Sequence, residues 1–194
     1  MSFLRSPGIL ANGRVPATDI FSFTKAGVPW FAWEWLADVF MACVHYVAGL
    51  GGLVVASLVL LGLTSTCVYR NAFAESRHRM IAIVLTSLAM AASTIHWLAR
   101  PHLVTPLITA VFLWTLGHVH RDGAYQPLLA LPPLTILWVI LHGGFFVGIV
   151  LLITFALRTI GEELIHGGRH RALRKGRKYI LTAGACAVAS LLNP

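Results

Sequence analysis

Two carboxylates and a few cations or imidazoles carry whatever chemistry this 194-residue chain can perform. Glu34 heads the stretch "EWLADVFMACVHY", beside Trp30, Trp33 and Trp35, and Asp19 follows Thr18 in a turn-like segment. Either carboxylate could move a proton. Each also has a plainer role, since the helix dipole favours an acid in a first turn and Asp is a common turn residue. Arg100 and His102, in "ARPHL", form a second group. An arginine at a helix end can hold a phosphate bidentately, or simply snorkel as an anchor. His142 interrupts the apolar stretch "ILHGGFF" and can donate to an anion or serve as a hydrogen-bonded turn residue. His118 and His120 form H-x-H with Asp122 as the only acid near, too few ligands for a metal, and read as part of a solvated loop. Nine histidines raise bis-His haem ligation, for which His96 with His142 is the one candidate pair; His96 otherwise reads as structural. Cys43, Cys67 and Cys186 lie far apart without a C-x-x-C pair and read as packing residues. A second "HGG", at 166–168, has no apolar frame and reads as a chance repeat.

The elements that must position these residues are membrane helices. The chain is 57% hydrophobic and 11% charged, with mean hydropathy +0.77, more apolar surface than a soluble domain of this length can hide. No strands of alternating polarity suggest a barrel. The net charge of +8 points to basic segments on a leaflet of anionic lipid; nucleic-acid binding lacks a supporting motif. Residues 1–33 are rich in turn formers and hold no stretch long enough for a signal peptide or span. A polytopic chain that opens on such a loop suggests that an upstream span is missing. Residues 34–46 suit an amphipathic helix at the interface, with Glu34, Asp38 and His45 on related faces and tryptophans as anchors. Spans are expected at 50–69, ended by Arg70; at 80–98, stopped by Arg100-Pro101; at 103–117; and at 179–192. "RNAFAESRHR" and "HVHRDGAYQP" read as polar loops and 158–178 as a basic loop, whose run 169–178 anchors in lipid headgroups.

No Asp, Glu, Lys or Arg occurs from Gly123 to Leu157, and 35 helical residues would measure about 52 Å against a hydrocarbon core of about 30 Å. Length mildly favours a single span here; charge favours two. With one span, the seven basic residues of 158–178 would fall on the opposite side from Arg70, Arg77 and Arg79. Two short helices, 128–141 and 145–157, return them to the same side and make "HGG" an external turn, with His142 wet and the glycines permitting the reversal. His96, Arg100, His102, Asn193-Pro194 and the first 49 residues then share that outer face. The expected fold is all-α: a polytopic bundle of about six short transmembrane helices in 50–194, preceded by an external region, 1–49, with its interfacial helix.

Four segments then resemble a known family. "ANGRVPATDIFSFTKAGVPWFAWEWLADV" resembles the first external loop of bacterial GT-C-fold glycosyltransferase-like membrane proteins. "WLARPHLVTPLI" is similar to a following inter-helix turn, "LPPLTILWVILHGGFFVGIVLL" to the family's "LWvNLHGGF" segment, and "LLNP" to the start of its "NPyG". The resemblance implies a multi-pass enzyme of the bacterial cytoplasmic (inner) membrane. Such an enzyme transfers a sugar from a polyprenyl-phosphate donor at the outer face. It needs a carboxylate, for which Glu34 and Asp19 are the candidates here, to deprotonate an acceptor or hold a divalent metal. It also needs donors for the departing lipid phosphate, for which Arg100, His102 and His142 are the candidates. Three departures matter: the family's first span with its acidic, Trp-rich motif has no counterpart, its Asn before Leu-His-Gly-Gly is Ile140, and the segments beyond "NP" are not represented. The expectation is an internal or truncated piece that is inactive alone, with a non-enzymatic membrane scaffold as the alternative. The partners expected are membrane lipids and the polyprenyl-phosphate sugar, with no nucleic acid.

Overall fold

A computed structural model describes residues 34–94, 97 and 100–192. Asp19, His96, Asn193 and Pro194 lie outside the described residues. Six α-helices follow one another: α1 (Trp35–Ser76), α2 (Arg79–Ser93), α3 (Val104–Asp122), α4 (Leu131–Leu141), α5 (Phe146–His166) and α6 (Arg169–Ala189). Short 3-10 turns at Pro101–Leu103, Gln126–Ala130, Gly143–Phe145 and Ser190–Leu192 link or end them, and no strand occurs among the described residues. Three helical stretches, Trp35–Ser76, Pro101–Asp122 and Gly143–His166, are long and apolar enough to cross a membrane. Arg79–Ser93 and Gln126–Leu141 are apolar but shorter.

α1 is two arms rather than one rod. Gly49 breaks it with φ 60° and ψ −156°, a conformation that a Cβ would penalise. The arms fold back on each other, since Met41 and Leu53 share a buried cluster with Val44 against it. From Gly49 to Arg70 the second arm rises about 31 Å, close to the ~30 Å of a hydrocarbon core. The first arm begins where the amphipathic helix 34–46 is expected, but no loop separates it from the span.

The helix ends differ from the sequence expectation in one consistent direction. α1 continues through Arg70 to Ser76, turning only at Arg77 (φ 55°), where a polar loop was expected. α3 includes His118–Asp122 and stops at Gly123 (φ 69°). α5 runs to His166 rather than ending near 157, so this helix is not short, and 169–178 is the first half of α6 rather than a loop. Charge ends an apolar run but does not end a helix, because Arg, Lys and Glu are good helix formers. In the second "HGG", Gly167 and Gly168, the latter at φ 81°, make the turn between α5 and α6.

The inner core joins α3, α4, α5 and α6. Phe112 packs at 5.4 Å on Trp138, and Gly148 lets α5 approach both rings. Along α6 the buried positions Ala172, Gly176, Tyr179, Ala183 and Cys186 form a stripe of mostly small residues, with Ile160 of α5 seated on Gly176. Such close helix contact is how bundles pack where burial from water is not the driving force. Asn71 clamps α1 to α3 by donating to the Ala110 carbonyl at 2.9 Å. Outside this core, α2 buries only Ala82 and exposes Met80, Ile81, Ile83, Val84 and Leu88. These residues give α2 a contiguous exposed apolar surface.

The contacts sort the ionic residues between two ends. Glu75 pairs with Arg121, His120 with Glu162 at 3.2 Å, and Glu163 with Lys175, gathering the 70–79, 118–127 and 158–178 segments at one end. Glu34 meets His142 at the other.

Candidate functional site

His142 owes its position to the end of α4. Pro132 and Pro133 sit in the first turn of that helix, where they cost no hydrogen bond. The helix stops after Leu141, and His142 is extended (φ −165°, ψ 145°) with its N–H donating to the Trp138 carbonyl at 2.7 Å. Trp138 is fully buried, and its ring N–H donates to Thr105 Oγ1 at 3.1 Å, tying α4 to the first turn of α3. Gly144 completes the clamp: a Cβ there would lie 2.6 Å from Thr105 Oγ1. Neither glycine of this "HGG" has a positive φ. Their expected conformational freedom is therefore not what the turn uses; Gly144 serves close approach.

Glu34 immediately precedes α1. It holds the N-cap position, where the helix dipole favours an acid, and its carbonyl accepts from Asp38 N at 3.0 Å, but its side chain makes no capping hydrogen bond. Instead Oε1 meets Nδ1 of His142. An ionised carboxylate only accepts, so the contact calls for Nδ1–H; in the neutral ring Nε2 is then the acceptor, and in the imidazolium it is a second donor. Both side chains are about one-third exposed or less, 33% for Glu34 and 28% for His142. The His102 ring, from the 3-10 turn Pro101–Leu103, lies 6.3 Å from that of His142 with planes inclined at 58°. Arg100 holds the extended position just before this turn, is exposed, and accepts from Leu103 N through its carbonyl. One cluster thus unites Glu34, His102 and His142, with Arg100 two residues from His102. Asp19 lies outside the described residues. A carboxylate that orients an imidazole, with a second imidazole alongside, can take a proton at Nε2 or donate to an anion.

His118 and His120 are not in a solvated loop. Both are on α3, with His118 3.2 Å from Asp122 one turn on and His120 edge-on to Phe155 as well as against Glu162. No group of three side chains able to hold a metal occurs among the described residues. Near this end Lys178 lies 3.8 Å above the Tyr125 ring. Burial pushes the Tyr125 phenol up, with Lys175 opposing, so the cation meets a neutral ring rather than a phenolate.

Sequence reasoning nominated Glu34 and His142 separately and missed their pairing. The 108 residues between them carry no local signal of it. Compared with protein-family models, curated proteins and solved structures, the chain matches none.

Proposed function

We propose that the chain is a GT-C-type glycosyltransferase-like membrane protein. In this reading a sugar passes from a polyprenyl-phosphate donor at the outer face of a bacterial cytoplasmic membrane. The observation that carries it is the cluster of Glu34, His142 and His102 at the end of the bundle opposite the cationic segments. If the cationic end faces the cytoplasmic leaflet, as the positive-inside rule favours, the cluster opens toward the outer side. There Arg100, His102 and, when the ring is protonated, the Nε2–H of His142 would donate to the lipid phosphate, with Glu34 fixing the ring through Nδ1–H. A divalent metal does not fit the described residues: no group of three side chains able to hold one occurs among them, and the Glu34 carboxylate is engaged by His142.

A second reading, a non-enzymatic membrane scaffold, draws on the same contact, because a Glu–His pair also serves as a plain clasp between α1 and the α4–α5 turn. Binding separates the two. Purified protein in neutral detergent should bind a short-chain polyprenyl phosphate, followed by native mass spectrometry, and His102→Ala with His142→Ala should weaken it at least tenfold. Equal retention by the wild type and the double variant, or no binding by either, favours the scaffold. Turnover of a polyprenyl-phosphate sugar by the chain itself, lost in Glu34→Gln, would make it an enzyme in its own right.

A further inference from the structure

Five helices change character at one level of the bundle. Along α1 the change falls between Leu63 and Arg70, and on α2 between Arg79 and Met80. On α3 it falls between Trp114 and His118, on α5 between Leu157 and Arg158, and on α6 between Lys178 and Ile180. Contacts tie these transitions together: Arg70 lies 5.9 Å over the Trp114 ring, and Tyr179 lies 6.4 Å from Phe155. On one side of the level the exposed residues are mostly apolar, with Arg100 the one exposed Lys or Arg among the described residues there. On the other stand eleven Lys and Arg against four carboxylates. All four carboxylates are engaged: Glu75 by Arg121, Asp122 by His118, Glu162 by Arg158 and His120, and Glu163 by Lys175.

The excess concentrates at the start of α6. Residues 169–178 carry six cations and no acid, at the end of the helix where the dipole is itself positive. Lys175 is paired, Arg171 donates to the Gly167 carbonyl at 2.8 Å, and Lys178 covers Tyr125. Arg169, Arg174 and Arg177 are exposed, with no carboxylate against them among the described residues. Beside them, Leu164, Ile165 and Leu173 are also exposed. Guanidinium groups on a positive helix end call for anions from outside the chain, and exposed leucine and isoleucine call for something apolar beside those anions. A polynucleotide supplies only the first; a leaflet of anionic phospholipid supplies both.

We propose that the α5–α6 hairpin is a binding surface for anionic phospholipid, with Arg169, Arg174 and Arg177 on headgroup phosphates and Leu164, Ile165 and Leu173 against the acyl boundary. The surface is independent of any sugar transfer. It holds the bundle with the cationic end on the anionic leaflet and the Glu34–His142 cluster on the other.

The test uses the whole chain in neutral detergent, equilibrated with equal amounts of phosphatidylcholine and phosphatidylglycerol, washed, and assayed for retained lipid by mass spectrometry. Phosphatidylglycerol should be retained in at least threefold excess. The excess should fall at high salt, where screening shortens the reach of each cation. The variant Arg169→Gln/Arg174→Gln/Arg177→Gln changes only exposed side chains. It should keep its thermal unfolding midpoint yet retain the two lipids equally. Inorganic phosphate at matched ionic strength should not displace the lipid, and a labelled DNA duplex at physiological salt should not bind. Equal retention of the two lipids by the wild type, an undiminished excess in the triple variant, displacement by inorganic phosphate, or duplex binding in place of lipid would each overturn the proposal.

Discussion

Nδ1 of His142 meets the carboxylate of Glu34, joining the head of α1 to the α4–α5 turn. The contact engages one edge of the imidazole, so the neutral ring of His142 carries its proton on Nδ1 rather than as a mixture of tautomers. Nitrogen-15 spectra of the neutral ring should show Nδ1–H in the wild type. In Glu34→Ala that preference should disappear. Because both side chains are partly exposed, the pair contributes little stability. A double-mutant cycle with Glu34→Ala and His142→Ala should return a coupling of about 1 kcal/mol or less. A ring that keeps its tautomer without Glu34 would show that other groups orient it.

Gly144→Ala should destabilise the bundle by about 1–3 kcal/mol, the usual cost of an overpacked contact. Its Cβ would press on Thr105 at both Oγ1 and Cγ2, 2.6 and 2.8 Å away. Thr105→Ala in the same chain should recover part of that loss, although it also removes the acceptor of the Trp138 ring N–H. Thermal unfolding in a fixed detergent reads both. The same substitution at Gly143, where a Cβ meets nothing within 4 Å, should change the midpoint far less.

Gly49→Ala should cost about 1–2 kcal/mol, because a side chain at φ 60° crowds the following carbonyl. Straightening α1 relieves that crowding and pulls Met41 from Leu53. Spin labels at the exposed positions Val47 and Val55, in a background without native cysteines, should therefore move apart in the variant. An unchanged distance with unchanged stability would mean that the fold-back tolerates a side chain at this position.

In whole cells, a membrane-impermeant thiol reagent applied from outside should label Gly143→Cys and spare His170→Cys. Gly143 is exposed and open, and His170 is exposed on α6 within the cationic end. Labelling of the second and not the first would reverse the orientation assigned here.

Much of this architecture is legible in the residues themselves. Length alone mildly favours a single span in the uncharged run of 35 residues, but the cations around it want a common side; that charge argument puts a break at His142, where α4 ends. Gly49 likewise falls between an amphipathic and a purely apolar segment, and the chain bends there. Helix ends at 70–76, 118–122 and 158–178 were misjudged because hydropathy marks where lipid would stop, whereas a helix stops where its hydrogen bonding is capped, here at Arg77, Gly123 and Gly167-Gly168. The site was only half visible. Sequence names Glu34, Arg100, His102 and His142 as groups with chemistry but cannot say which of them meet, because a contact across 108 residues depends on how α1 folds back and how closely α4 approaches α3. The first is set by Gly49 and the packing of Met41 on Leu53, the second by packing at Thr105, Trp138 and Gly144, and a glycine needed for close approach looks, in sequence, the same as one needed for a turn.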